Sequence, residues 1–183
     1  MRLILALLWL AVIAGPTFAA EPDPVTRAKS LRDEATRALK RGKVADAVKA
    51  LSAAQDLAPE SSTALSLAKA YRKLGKAPAA ANAYAAFLSS APNNDPSVAS
   101  VKSELARMDL KLARLRLVGP PGLTVRIDGS IVGRLPLEPV RVTPGLHDVL
   151  FESPDIVPVM KKIYAGAKLQ VTVDVELAGF DAR

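Results

Sequence analysis

The chain has 183 residues, 25 of them basic and 18 acidic, with one histidine and no cysteine. The lack of cysteine excludes disulfide staples, a lipoprotein attachment thiol, a thiolate nucleophile and cysteine metal sites, and one histidine is too few for the common zinc and iron centres. The fold must be held by packing alone.

Arg2 precedes an apolar run of 12 residues, Leu3 to Ala14. Gly15 and Pro16 end it, and Thr17 and Ala19 place small residues where a signal peptidase reads. The run is short for a bilayer, which takes about 20 residues. The pattern predicts a signal peptide over residues 1–19, cut after Ala19, with an uncleaved anchor as the alternative. A periplasmic or secreted location follows as the expectation. Nucleic acid is then a poor partner, and no transmembrane helix is expected after processing.

Ala20 to Arg183 leaves 164 residues, enough for one ordinary domain or two small ones. Composition favours two. Ala, Leu, Lys and Arg dominate up to Leu112, as in helices, and Val, Ile, Gly and Pro dominate from Ala113 onward, as in short strands and turns. The expected division is a helical unit over 20–112, a linker and first strand over 113–122, a β-unit over 123–178 and a tail over 179–183. Each unit is small enough that docking on the other, or on a partner, would contribute to stability.

Helices are predicted near 24–41, 44–57, 61–74, 77–90 and 96–112. Asp23-Pro24 and Asp95-Pro96 are cap and first-turn pairs. Gly42 and Gly75, Ala47 and Ala80, Leu51 and Tyr84, Ala54 and Phe87, and Pro59 and Pro92 are each separated by 33 residues. The glycines close helices with a left-handed residue, the alanines let antiparallel helices approach, and the prolines stop the second helix of each pair. This order resembles the tetratricopeptide repeat, with Phe87 standing where that family has a small residue. The fifth helix carries Val98, Val101, Leu105, Met108 and Leu112 as one apolar stripe that caps the open end of the second pair.

In the β-unit, Asp128-Gly129 is a tight hairpin signal. Gly133 and Pro136 punctuate the next connection, and Pro144-Gly145 supplies a second turn. Leu169, Val171, Val173, Val175 and Leu177 alternate with polar residues, so one face of the last strand is buried and one wet, as in an antiparallel sandwich. A further strand is expected near Val157 to Tyr164. The order Ile127, Asp128, Gly129, Gly133, Pro136, Leu137, Pro144, Gly145, His147 and Val149 resembles the PEGA domain, a small β-sandwich of bacterial envelope proteins. That resemblance implies an accessory or adhesive module without known chemistry. The chain departs from it at Ser153, Pro154 and Asp155, where the family has a glycine with an aromatic residue.

Catalytic patterns are sparse. No serine sits in a G-x-S-x-G context, and no glycine-rich loop joins a strand to a helix. Gly119-Pro120-Pro121-Gly122 reads as a stiff lead-in to the first hairpin. Paired carboxylates remain open as a small hydrolase, but Trp9 leaves with the signal peptide and few aromatic residues remain to wall a cleft. His147 shares a strand face with Val149 and Phe151 while Asp148 faces away, so a packing histidine bonded to a nearby backbone group is expected. No metal, cofactor or catalytic residue is expected.

Charge leaves one handle. Residues 20–112 hold 15 basic and 10 acidic residues, against 9 and 8 after them. Lys40 and Lys73 are repeat equivalents, and Lys69, Arg72 and Lys73 share a helix that faces the groove in tetratricopeptide repeats. Together they form a candidate basic groove, with helix-dipole stabilisation as the plain alternative. The expected fold class is α+β in two units, α-helical tetratricopeptide-like hairpins followed by a small antiparallel β-sandwich. The expected function is a non-enzymatic envelope scaffold that binds a protein partner. The alternative is binding of an anionic lipid head group or phosphorylated polymer through the basic face.

Overall fold

The computed structural model describes residues 23–154 and 156–175. The signal segment with Ala19, the departure at Asp155, Leu177 and the tail lie outside the described residues. Five helices lead: α1 (Pro24–Lys40), α2 (Val44–Leu57), α3 (Ser61–Lys73), α4 (Ala77–Ser90) and α5 (Ser97–Asp109). Seven strands follow: β1 (Ala113–Val118), β2 (Thr124–Ile127), β3 (Ser130–Arg134), β4 (Val140–Val142), β5 (Gly145–Glu152), β6 (Val159–Ala165) and β7 (Gln170–Asp174). The class is α+β, helices first and antiparallel-rich sheets after.

The helices start and stop where local chemistry directs. Asp23 Oδ1 accepts from the amides of Val25 and Thr26 at 2.9 and 3.1 Å, satisfying donors at the open end of α1. Asp95 Oδ1 likewise accepts from Ser97 at 2.7 Å before α5. Gly42 and Gly75 hold φ of 72° and 69°, a conformation costly for other residues. The hydrogen bonds of the two turns match position for position. Lys43 N donates to the Ala38 carbonyl at 2.9 Å, and Lys76 N to that of Tyr71 at 3.0 Å. The 33-residue spacing is therefore a repeat of geometry as well as of sequence.

Packing between the helices explains the choice of side chains. Ala47, Ala54 and Ala80 are fully buried, and Leu51, Tyr84 and Phe87 are nearly so. Small residues set the close approach of α1 on α2 and α3 on α4, and the large ones fill the groove, each worth roughly 1.5–3 kcal/mol of apolar burial. Phe87 belongs to this core. Val101 and Leu105 of α5 join it, with Val98 and Met108 at its margin, so the stripe does cap the second hairpin. Leu112 is buried there too, but not as part of a helix. The helix expected to run to residue 112 ends at Asp109, because a turn closed by Lys111 N to the Met108 carbonyl redirects the chain into β1.

The strands form two sheets, ordered β4-β1-β7 and β3-β2-β5-β6. Their facing sides share a core that includes Leu115, Val125, Val149, Phe151 and Val173. Asp128 and Gly129 have φ of 50° and 78°, the paired positive angles of a two-residue hairpin, and they join β2 to β3. His147, Val149 and Phe151 face the core together, as the alternation requires.

Two expectations need correction. The pair β1–β7 is parallel: the chain crosses from β6 in the opposite sheet and enters β7 running in the direction of β1. Leu169 is exposed, since it belongs to the turn that precedes β7. The expected turn at Pro144-Gly145 is present, and it carries the chain from β4 in one sheet to β5 in the other. Gly119 to Gly122 similarly links β1 to β2 inside the sandwich.

Candidate functional site

The helical unit and the sandwich meet at α4 and β4. Asn82, alone among small and apolar neighbours on α4, donates through Nδ2 to the Arg141 carbonyl at 3.0 Å and accepts from the Arg141 amide at 2.8 Å. Its amide thereby pairs with an edge strand as another strand would, which satisfies backbone groups that β4 leaves open. Asp109, at the end of α5, accepts from Arg141 Nε at 2.6 Å and Nη2 at 3.3 Å, and also from Arg114 Nη2. Burial pushes the Asp109 carboxyl up, but the bonds and charges of Arg141 and Arg114 outweigh it and hold its pKa below the ordinary 3.8.

Clefts open on either side of this joint. One, of about 570 Å³, lies between α4 at Ala86 and Ser89 and the sandwich at Val132, Leu137 and Glu138, with Arg114 at its edge. The other, of about 550 Å³, lies between Pro78, Ala79 and Ala83 and the residues Ile131, Asp128 and His147. Asn82, Ala86, Val132, Val140 and Arg141 border both, so the two adjoin along α4 as a trough interrupted by the Asn82–Arg141 contact. Its walls are largely apolar, with Lys76, Asp128, Arg114 and Glu138 interspersed.

The basic residues singled out in the sequence are only partly brought together. Lys69 and Arg72 line a smaller cleft of about 240 Å³ between α3 and α5, whereas Lys40 and Lys73 line none of it. The packing of α5 adds Arg107 and also Glu104, which bonds Arg72 Nη1 at 3.2 Å and Arg107 Nη2 at 2.8 Å. Two of the three cations therefore have a partner within the fold. Lys69 is exposed, with no carboxylate in ion-pair reach among the described residues.

His147 is 5% exposed and lies on the sandwich wall of the trough. The expected backbone bond is present, between Nε2 and the Thr143 carbonyl at 2.7 Å. A second partner was not legible: Asp128, whose Oδ2 stands 2.6 Å from Nδ1. Its other oxygen accepts from Asp148 N at 3.0 Å. Burial pushes the His147 pKa down, but the Asp128 bond, the Thr143 carbonyl and the Asp128 charge together raise it above 6.5. Asp128 moves the other way: burial raises it, and the bonds from His147 and Asp148 lower it below 3.8.

The remaining motif positions serve the fold. Pro59 and Pro92 follow α2 and α4. Gly133 has φ of 147° and leaves a hypothetical Cβ only 2.7 Å from Leu137 Cδ2. Among the described residues no group of acidic or histidine side chains is arranged to hold a metal ion, and no helix is long and apolar enough to cross a membrane.

The two-sheet topology with a positive-φ hairpin turn at Asp128-Gly129 is what the family comparison meets. Residues 119–179 match the PEGA domain. PEGA domains occur in extracellular or periplasmic proteins as accessory modules. The match begins just after β1, yet β1 is the central strand of the three-stranded sheet, so the folded sandwich extends beyond the matched segment. None of the curated proteins compared with the chain matches it.

Proposed function

We propose that this chain is an exported, non-enzymatic interaction protein, in which the helical unit receives a segment of a partner protein and the PEGA-like sandwich holds or attaches it in the envelope. One observation carries the reading. Helix α4, the second helix of the second hairpin, is one wall of a trough whose other wall is the sandwich. A segment lying there touches both units at once, which gives their docking a purpose beyond stability. The lining alternates apolar surface with donors and acceptors such as Asn82 and Glu138, the mixture that suits a polypeptide better than a lipid face. The tetratricopeptide likeness of the hairpins and the signal peptide expected over residues 1–19 are consistent with it.

The test is to fill the trough. Ala86 borders both clefts and is itself exposed, so Ala86→Trp should block the segment while leaving the fold intact. Crosslinking in intact cells followed by mass spectrometry should recover a protein partner with the native chain and lose it with the variant. An unchanged partner with Ala86→Trp contradicts the reading. A second reading, binding of an anionic surface, is favoured by Lys69 beside Arg72 and Arg107. Such binding would weaken steeply with salt, since screening is strong beyond about 8 Å at physiological ionic strength.

A further inference from the structure

His147 is the chain's one histidine, and both of its ring nitrogens face acceptors. The Thr143 carbonyl oxygen can only accept, so Nε2 must carry a proton. Asp128 also accepts from the Asp148 amide and is 53% exposed in its side chain, conditions that keep it an ionised carboxylate, so Nδ1 must carry the other. A neutral imidazole has one N–H and can serve only one of these partners. We propose that His147 is a proton-operated latch that ties the β2–β3 turn to the crossing from β4 to β5, closed as the imidazolium and loosened when the proton leaves.

The groups around it make the latch specific. Asp128 comes from the β2–β3 turn, and Thr143 from the end of β4. Asp148, next on β5, points to the other face and pairs with Lys162 of β6 at 2.9 Å, so it is not available to His147. Across the trough the helical unit contributes Lys76 and Tyr71, and Arg141 of β4 is already held by Asp109. Asp128 is thus the one carboxylate bonded to the ring among the described residues. The raised His147 pKa and the lowered Asp128 pKa agree with the donor count.

The consequence reaches the trough, because Ile127, Asp128, Ser130, Ile131 and His147 are all part of its wall. Loss of the proton removes one of two ring bonds and loosens the turn that positions Ile131, which then rests on the Asp128 amide to Asp148 carbonyl bond and the Asp148 amide to Asp128 Oδ1 bond. The latch itself stands on geometry alone, whereas its effect on a bound segment rests on the function proposed above. A mildly acidic compartment would keep the wall set, and alkaline conditions would relax it.

The test uses the full chain, with the His147 ring followed by NMR across pH 4–10 and amide exchange followed at Asp128 and Asp148. The ring should titrate with a midpoint above the ordinary 6.5. Above that midpoint, exchange corrected for its intrinsic pH dependence should quicken at these two amides and not at Leu115 or Leu117. Asp128→Asn keeps a residue suited to the turn and an oxygen for the Asp148 amide, and it should move the midpoint down to 6.5 or below. A native midpoint at or below 6.5, or turn amides indifferent to the ring's titration, would overturn the latch. If the asparagine variant fails to fold, the native titration and exchange decide alone. Neither readout needs a partner, so a failed partner capture leaves the latch standing, and a failed titration leaves the proposed binding standing.

Discussion

Replacing Asp109 tests whether the two units behave as one body. Its side chain is 16% exposed, and Arg141, which it holds through two bonds, is 11% exposed. Asp109→Ala would leave that guanidinium nearly buried without a counter-charge. Breaking a buried pair costs about 3–5 kcal/mol, and the partial exposure of Arg114, at 42%, lets water soften the loss. A destabilisation of about 2–4 kcal/mol is expected, concentrated at the α5–β1 joint. Urea denaturation at neutral pH measures it, and a native single transition should broaden or split as the units uncouple. The native pKa lies below the unfolded 3.8, so the contribution is present above 3.8 and is lost as pH falls through the lowered value. Asp109→Asn should remove this part of the acid-induced loss of stability. A change below about 0.5 kcal/mol in Asp109→Ala would refute the clamp, since that is the scale of an ordinary surface substitution.

Other consequences are sharper in sign than in size. Asn82→Ala should cost about 1–3 kcal/mol by orphaning the Arg141 backbone groups, and a double-mutant cycle with Asp109→Ala should be non-additive because both act on Arg141. Ala47→Leu or Ala80→Leu should overpack the helix crossings and lower stability by about 1–3 kcal/mol, with unchanged melting in both contradicting the repeat. Gly133→Ala should lose roughly 1–3 kcal/mol to its positive φ and the contact with Leu137, measurable as a lower Tm. Reversing Lys69, Arg72 and Arg107 to glutamate should abolish any salt-sensitive binding to anionic vesicles, and persistent binding by the folded variant would leave those charges a packing role.

Much of this architecture was legible because local chemistry and tertiary packing agree. The 33-residue spacing fixed the helical hairpins through Gly42, Gly75, Ala47 and Ala80. Asp128-Gly129 fixed one hairpin and the parity of β5 placed His147 inside. What could not be read was which strands share a sheet. A turn such as Pro144-Gly145 looks the same whether it folds a strand back or passes it to the facing layer. For the same reason the partnership of His147 with Asp128 was hidden, since 19 residues and a passage through the facing sheet at β4 lie between them along the chain. The joint went unseen for a related cause. Arg114, Arg141 and Asp109 read as solvated charges, and only Asn82, a poor helix former in the middle of an alanine-rich helix, offered a signal. Nor could the sequence show that α5 brings Glu104 beside Arg72 in the candidate basic groove.

The most direct measurement is site-specific photo-crosslinking in intact cells, with the probe placed in turn at Ala79, at Ile131 and at Met160. Ala79 and Ile131 stand on opposite walls of the trough, and Met160 is exposed on β6, outside it. The proposed function predicts that the first two positions capture the same protein, through one contiguous segment, and that Met160 does not. Labelling of lipid or polymer from the trough, or equal capture from all three positions, would contradict it.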